Sequence, residues 1–498
     1  PEGKLGRLAI AVANSNPEVI YTVIEAEKDE KKGLYKSTDA GNSWEQMNND
    51  FGITVRPFYF SRIAVDPKDE NIIIKGGLSG SISKDGGKTF KDLGFMHSDI
   101  HDAIFDINNS DILYVGTDGG VYRSWNKGTT MEIVENLPLS QFYHISVDND
   151  TPYNVYGGLQ DNGSWYGPSF APGGITAKEW NPVGQGDGFR VLRHPTKNII
   201  YSEMQGAENV WRYDADNNLV KTIQPLAISG YEDYRFNWNA PIATSSNKPD
   251  RLYIGSQYLH KSEDMGDGWE IISPDLTTND PYKQNQEDSG GLSMDNSGAE
   301  NHTTIFTIAE SPLDENTIWV GTDDGNIQVT SDGGKTWTNT VTNIKGVPEN
   351  TWVYHIEASS HDQKTAYAVF DGHTSGDMTP YAYKTTDLGK TWKNIIPSND
   401  VYGFVRNIQE DYVDPNLLFL GTEFGLYITV NGGDNWAKFT KNMPSVAVHF
   451  IDLHKETNDL VMGTHGRGVI IIDDISPLRE IKPETLSSKL HFFSGDSY

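Results

Sequence analysis

A short polar turn followed by a large apolar side chain recurs along this sequence and constrains its fold more than any other feature. The motif reads Ser/Thr-x-Asp-x-Gly-x-Ser/Thr-aromatic, as in TSDGGKTW at Thr330–Trp337. Glycine supplies the positive φ that the turn needs, and the Asp carboxylate can accept hydrogen bonds from N–H groups inside it. Clear copies are Ser37–Trp44, Ser83–Phe90, Thr330–Trp337 and Thr385–Trp392, and degenerate copies are Ser124–Met131, Ser262–Trp269 and Thr429–Trp436.

A second pattern precedes each turn motif and completes the repeating unit. An apolar strand, a polar loop and another apolar strand ending in Gly follow one another, as in FTIAESPLDENTIWVGT from Phe306. Ten such units occur at a spacing of about 40–55 residues, and each offers four short strands. Four antiparallel strands at this period are typical of a β-propeller blade. The sequence therefore predicts an all-β protein, a β-propeller with ten four-stranded blades.

The ten units can form a single ring or be divided between two rings, and the repeat favours division. It is interrupted near Glu135–Leu139, and the seven units from His144 to Asp474 are enough for a complete ring. We expect three blades of a first propeller in 1–135, a seven-bladed propeller in 136–480, and a C-terminal tail or linker in 481–498. Because three blades alone leave open strand edges, we expect about four more blades, upstream of Pro1 or from another chain.

Composition narrows the classes of partner. The chain has 69 acidic and 40 basic residues, a net charge of −29, which argues against a nucleic-acid partner because such binding needs a basic face. No apolar run approaches the ~18 residues of a membrane span, so no membrane insertion is predicted. There is no Cys, and thiolate chemistry is therefore excluded.

The first break in the repeat is Met96–Asp102, which carries ligand-type side chains at close spacing. If this segment is extended, His97, Asp99 and His101 lie on one side of it, an arrangement that suits a divalent metal. A polar strand entrance that lines the central channel is the alternative. No other cofactor is predicted.

A second break, Tyr156–Pro168, replaces the turn motif of the fourth unit with amide, carboxylate and aromatic side chains. Together these groups can bind a sugar by hydrogen bonds and ring stacking, and a long hairpin capped by aromatic residues is the alternative. The candidate ligand-binding residues are Gln160, Asp161, Asn162, Trp165 and Tyr166.

A third break, Val183–Phe189, places Asp187 between two glycines at the start of an inner strand. A carboxylate with so little cover can act as a general acid or base in a cleft, or it can brace a glycine turn. We expect Asp187 to share a pocket with the second break, since neighbouring blades present both. The motif residues are predicted to be structural instead; they include Asp39, Asp85, Asp264, Asp332 and Asp387.

Basic and imidazole side chains recur near the beginning of the inner strands. In a propeller the innermost strand lines the axial channel, so these groups should surround it, and solvation of the channel is their expected role. The residues are Arg7, Arg62, His144, Arg190, His355, Arg406 and His449.

Longer segments resemble a known family over essentially the whole chain. The similarity is to bacterial BNR/Asp-box repeat proteins, also labelled sortilin-N-terminal-like and often named glycosyl hydrolases; more distantly, the chain resembles two-propeller xyloglucanases. The resemblance implies a secreted or cell-surface bacterial protein. The segments that carry it include LGRLAIAV, YNVYGGLQDNGSW, GDGF, TIFTIAESPLDENTIWVGTDDGN and GTHGRGVIIIDDISPLRE.

Two functions remain open at this point. The first is a binding or scaffold propeller that engages a glycan or protein partner. The alternative is a glycoside hydrolase, because xyloglucanase-like enzymes use two Asp residues, one from each propeller, and the resemblance matches Asp187 to one of them. Sialidases are disfavoured, since their Arg-Ile-Pro motif does not occur here.

Overall fold

The computed structural model describes residues 3–227, 229–397 and 400–494 of the chain. These residues form ten short antiparallel sheets that divide between two compact units. The first unit comprises Pro1–Pro138 and Asn285–Ser297, and the second comprises Leu139–Gln284 and Gly298–Tyr498. Among the described helices, none is both long enough and apolar enough to cross a membrane.

The first unit contains three four-stranded sheets, each a meander of consecutive strands. Sheet 1 has β1 (Leu5–Val12), β2 (Ile20–Ala26), β3 (Gly33–Ser37) and β4 (Glu45–Asn48). Sheet 2 has β5 (Arg62–Val65), β6 (Ile73–Gly76), β7 (Ser81–Ser83) and β8 (Lys91–Asp92). Sheet 3 has β9 (Ile100–Phe105), β10 (Leu113–Thr117), β11 (Gly120–Ser124) and β12 (Glu132–Ile133).

The second unit contains the other seven sheets. Sheet 4 has β13 (Phe142–Val147), β14 (Asn154–Leu159), β15 (Gly163–Pro168) and β16 (Asn181–Gly184), and sheet 5 has β17 (Gly188–Arg193), β18 (Ile199–Met204), β19 (Val210–Asp214) and β20 (Leu219–Thr222). Sheet 6 has β21 (Ile242–Thr244), β22 (Leu252–Gly255), β23 (Leu259–Ser262) and β24 (Glu270–Ile271), and sheet 7 has β25 (Ile305–Ser311), β26 (Asp314–Thr322), β27 (Ile327–Thr330) and β28 (Thr338–Asn339). Sheet 8 has β29 (Trp352–Ala358), β30 (Ala366–Gly372), β31 (Asp377–Thr385) and β32 (Lys393–Asn394), and sheet 9 has β33 (Val405–Glu410), β34 (Leu418–Thr422), β35 (Gly425–Thr429) and β36 (Ala437–Lys438). Sheet 10 has β37 (Ala447–His454), β38 (Asp459–His465) and β39 (Gly468–Ile472).

The described helical turns lie between strands or after the last strand. The single described α-helix is α1 (Pro483–Ser487), near the C-terminus. The described 3-10 turns are Asp29–Lys31, Phe51–Ile53, Ala177–Glu179, Gln205–Ala207, Pro281–Lys283, Gln286–Asp288, Val341–Asn343, His373–Ser375 and Ser476–Glu480.

The all-β prediction of ten propeller-type sheets is confirmed, with one departure: sheet 10 has three strands rather than four. In the second unit the first strand of each sheet contacts the first strand of the next, and β37 contacts β13. The seven sheets therefore follow one another in a closed ring. The N–H groups of Gly466 and Gly468 donate to the carbonyl of Ser140, which joins the last sheet to the entrance of the first.

The Asp side chains of the turn motif bond within their own turns. Asp39 Oδ1 accepts hydrogen bonds from Ser37 Oγ and the Ser43 N–H, both at 2.8 Å, and Ser43 Oγ donates to Oδ2. The bonds from Ser43 and Ser37 lower the pKa of Asp39 to about 2. The amide oxygen of Asn accepts the same bond in two degenerate copies. In each of the other motifs, the backbone N–H of the residue four positions after the Asp or Asn donates to its side-chain oxygen. These acceptors are Asp85, Asp264, Asp332, Asp387, Asn126 and Asn431.

The Trp that ends the motif links neighbouring sheets of the second unit. In three of the four motifs of this unit, the indole Nε1 donates to the carbonyl of a buried Ile at the outer end of the preceding sheet, whereas Trp392 Nε1 has no hydrogen-bond partner among the described residues. The same Ile leaves no room for a side chain at the second Gly of the motif; a Cβ on Gly334 would lie 2.5 Å from the Ile272 carbonyl oxygen. The three pairs are Trp269 with Ile223, Trp337 with Ile272, and Trp436 with Ile395.

Strand β1 of the first unit exposes apolar side chains. The exposed fractions of Leu8, Ile10 and Val12 are 47%, 66% and 49%, although the strand pairs regularly with β2. An apolar strand face of this kind normally packs against another sheet. The expectation that a sheet of a further blade covers this face stays a prediction.

Candidate functional site

The Gln160–Asn162 segment forms the tight turn between β14 and β15. Asp161 has a φ of +58°, a left-handed conformation that Asp tolerates in turns. The Gln160 N–H donates to the carbonyl of Gln141, and Asn162 Nδ2 donates to the carbonyl of Gln160 at 2.7 Å. These bonds fix the turn at the end of the ring where the inner strands begin.

Asp187 lies next to this turn, directly before β17, with 9% of its surface exposed. Its Oδ1 accepts a hydrogen bond from the Asp161 N–H at 2.5 Å, and its Oδ2 accepts one from Trp238 Nε1 at 2.9 Å. The Asp187 N–H donates to Gln205 Oε1 at 2.9 Å. The second and third breaks of the repeat thus meet, and both oxygens of the carboxylate are held in one orientation.

The two aromatic residues predicted for this site differ in their surroundings. The indole Nε1 of Trp165 donates to the Asn162 carbonyl at 2.6 Å, so this half-buried ring braces the turn. The ring of Tyr166 stacks on Tyr156 with centroids 5.4 Å apart, and burial raises the pKa of Tyr166. Both contacts match the hairpin capped by aromatic residues, and a sugar-binding role for the five residues stays a prediction.

Trp238, which was not predicted from the sequence, connects Asp187 to other sheets. Trp238 belongs to the polar stretch Asn237–Asn239, which immediately precedes β21. Asn237 Nδ2 donates to Asp323 Oδ2 at 3.0 Å, and the side-chain amide of Asn239 lies 3.1–3.2 Å from His144 Nε2. One tripeptide therefore joins sheets 4, 5 and 7. The available signal was its position, because Trp238, like Asp187, lies in the segment that leads into an inner strand.

Asp323 is a carboxyl of this network whose pKa is strongly raised. It follows β26 and is fully buried, and it accepts bonds from the Thr304 N–H at 2.9 Å and Thr304 Oγ1 at 2.6 Å. Burial raises the pKa of Asp323 to about 7, although the bonds from Thr304 and Asn237 oppose that rise. His302 Nδ1 lies 3.8 Å from Asp323 Oδ1.

The raised pKa of Asp323 should make stability depend on pH. Between an unfolded pKa near 4 and the folded pKa of about 7, the folded state holds one proton more. The contribution of Asp323 is therefore complete below pH ~4 and is lost as the pH rises through ~7, at about 1.4 kcal/mol per pH unit. Urea unfolding of wild type and Asp323→Asn at several pH values measures the difference in slope.

The control for this prediction is Asp332→Asn, because hydrogen bonds from Thr336 lower the pKa of Asp332 to about 2. That group contributes stability above pH ~4 that is lost only in acid, so its replacement should leave the slope between pH 4 and 7 unchanged. Equal slopes for wild type and Asp323→Asn in this window would contradict the assignment.

The metal prediction at His97, Asp99 and His101 rested on an extended segment, and that premise is wrong. Strand β9 begins only at Ile100, and Asp99 has a φ of +59°, which breaks the alternation of side chains. His101 Nε2 instead lies 2.9 Å from Asp118 Oδ1. Within the described part of the chain, the side chains of His97, Asp99 and His101 are not close enough together to bind one metal ion.

The chain is distantly related to xyloglucanases. It is 25% identical over 237 residues to the oligoxyloglucan-reducing end-specific xyloglucanase of Emericella nidulans. The aligned region covers 44% of this chain and 25% of that protein. It is 24% identical over 254 residues to the probable oligoxyloglucan-reducing end-specific xyloglucanase of Neosartorya fischeri, covering 48% and 28%. The match thus spans about a quarter of each relative's length. No family model matches the chain.

Several solved structures align with the chain at low sequence identity. The alignment with the GH74 enzyme of Niastella koreensis covers 93% of this chain and 76% of the enzyme chain, at 17% identity and a TM-score of 0.30. The extracellular domain of a hybrid two-component system from B. thetaiotaomicron aligns with 93% and 57% at 11% identity and a TM-score of 0.45. YCF48 bound to D1 peptide aligns with 67% and 93% at 12% identity and a TM-score of 0.43.

Proposed function

We propose that this protein is a glycoside hydrolase that acts on a β-linked polysaccharide of the xyloglucan class. The observation that carries the proposal is the match of nearly half of the chain to two xyloglucanases. The seven turn motifs support the finer assignment to the BNR/Asp-box repeat proteins. The protein acts outside the bacterial cell, where its polysaccharide substrate is found, and its strong negative charge is compatible with an exposed, solvated surface.

Asp187 supplies one of the two carboxyl groups in this proposal. In glycoside hydrolysis one carboxyl protonates the glycosidic oxygen as the C–O bond breaks, while the other attacks the anomeric carbon or activates the water that does so. The hydrogen bonds from Trp238 Nε1 and the Asp161 N–H hold the Asp187 carboxylate in a fixed orientation. Such preorganisation is what a reacting carboxylate requires.

The test is release of reducing sugar from xyloglucan oligosaccharides by wild type and Asp187→Asn. Because the substitution keeps the shape of the side chain and removes the ionisable group, we expect activity to fall by a factor of about 10³ or more. Affinity for the substrate, measured by calorimetry, should change little. The matched control is Asp332→Asn, which alters a turn-bracing carboxylate and should keep full activity.

A binding or scaffold propeller remains the second candidate, and one observation favours it. Asp187 is only 9% exposed, which limits the access of a substrate to its carboxylate. If the protein is a binding or scaffold propeller, the wild type binds xyloglucan oligosaccharides, or a protein partner, without releasing sugar. Saturable oligosaccharide binding with no hydrolysis at any pH from 4 to 8 would replace the hydrolase proposal with this one.

A further inference from the structure

A cavity of about 380 Å³ lies among the inner strands at the axis of the seven-sheet ring. Its volume falls within the ~300–1,000 Å³ range of small-molecule sites. Strands from sheets 4, 5, 6, 8, 9 and 10 contribute to it, so the cavity exists only in the closed ring. The polar side chains that line it include His144, Arg190, Thr244, Glu357, Gln409 and Asp452.

Two of the lining residues are more than nine-tenths buried and carry polar atoms without a partner. The exposed fractions of His144 and Arg190 are 5% and 8%. Neither His144 Nδ1 nor Arg190 Nε has a hydrogen-bond partner among the described residues. Buried polar atoms in native proteins are almost always bonded, so these atoms point to a polar occupant of the cavity.

The lining also carries two carboxyl groups, on Glu357 and Asp452. Burial, with the nearby carboxyls of Glu410 and Asp452, raises the pKa of Glu357 well above its usual range. Burial also raises the pKa of Asp452 to about 6. Gln409 Nε2 donates to Glu357 Oε1 at 2.8 Å, which orients that carboxyl.

Basic and acidic groups of the lining are equal in number. Arg190 and Arg193 carry guanidinium groups, and Glu357 and Asp452 carry carboxyl groups. His144 is neutral because burial, with Arg190 and His355 nearby, lowers its pKa. A cavity with both donors and acceptors but little net charge suits a neutral ligand rich in hydroxyl groups.

We propose that this axial cavity binds one sugar residue, either as a free monosaccharide or as the end of a chain. Arg190 and His144 donate to its hydroxyl oxygens, and Asp452 and Glu357 accept from its hydroxyl groups. The ring of Phe450, which meets His144 edge-on with centroids 4.9 Å apart, gives one apolar wall. The inference does not rest on hydrolysis at Asp187, since it uses only the side chains of the cavity.

The test is saturation-transfer difference NMR of the full chain with D-glucose, D-xylose and D-galactose up to about 50 mM. We expect saturable binding of at least one sugar to the wild-type protein. Gln409→Leu removes the bond that orients Glu357 and should weaken sugar binding at least about fivefold, the equivalent of one hydrogen bond. Thr244→Phe, which fills the cavity, should abolish it. The matched control is Gln363→Leu, because the Gln363 amide bonds to Asp314 away from the cavity.

Thermal unfolding confirms that each variant is folded before binding is compared. No saturable binding of any of the three sugars to wild type would overturn the proposal. So would sugar binding that both Gln409→Leu and Thr244→Phe leave unchanged, or saturable binding of methylammonium or acetate alone. Asp187→Asn should keep sugar binding here, so loss of hydrolysis and failure of this site are distinguishable.

Discussion

Replacing Gly158 by alanine is expected to destabilise the seven-sheet unit by about 3 kcal/mol or more. Gly158 lies in β14, where the backbone of the next sheet passes directly over it. A Cβ at this position would lie 2.2 Å from the Gly188 carbonyl carbon and 2.3 Å from the Phe189 nitrogen. These are backbone atoms, which cannot rotate away as the end of a side chain can. Sheets 4 and 5 must therefore separate.

The same contact lies beside Asp187, so Gly158→Ala should also disturb the hydrogen bond from the Asp161 N–H. Chemical denaturation followed by Trp fluorescence gives the change in unfolding free energy. The matched control is Gly116→Ala, since Gly116 also lies in a strand but no atom outside its neighbours comes within 4 Å of the added Cβ. A loss of stability as small as that of Gly116→Ala would contradict the close approach of the two sheets.

Arg479→Ala is expected to cost about 3 kcal/mol through the carboxylate that it leaves behind. Arg479 lies in the 3-10 turn Ser476–Glu480, and its guanidinium binds both oxygens of fully buried Asp411 at 2.9 and 2.8 Å. A third bond, from Nη1 to Asn458 Oδ1 at 2.6 Å, ties the same turn to sheet 10. Without Arg479, the donors to the Asp411 side chain among the described residues are the N–H groups of Val413 and Asp414.

The control for this loss is Arg123→Ala, which breaks a similar pair at the surface. Arg123 bonds to Glu132 through Nε and Nη2, but the two side chains are 35% and 51% exposed. Such a pair contributes below about 1 kcal/mol because water solvates both charges. Equal unfolding free energies for the two variants would show that Asp411 is not buried as described.

Local features of this protein could be predicted from its sequence because the interactions that form them are local. Asp39 bonds to residues two and four positions away, and the pattern of Ser, Asp, Gly and aromatic residues encodes those bonds directly. The four-strand meander follows for the same reason, since consecutive strands pair. Where local conformation departed from the average, prediction failed, as at Asp99, whose positive φ ends the alternation on which the metal prediction depended.

Contacts between residues that are distant in sequence could not be predicted and are known from the folded chain alone. Trp238 reaches Asp187 across 51 positions, and Asn237 reaches Asp323 across 86. The axial cavity draws its lining from six sheets that adjoin only because β37 contacts β13. Such contacts depend on ring closure and on the close approach of two backbones at glycines such as Gly158. Neither can be predicted from the spacing of residues in the sequence. The repeating sheet therefore follows from local sequence patterns, whereas the Asp187 network and the cavity follow from packing between sheets.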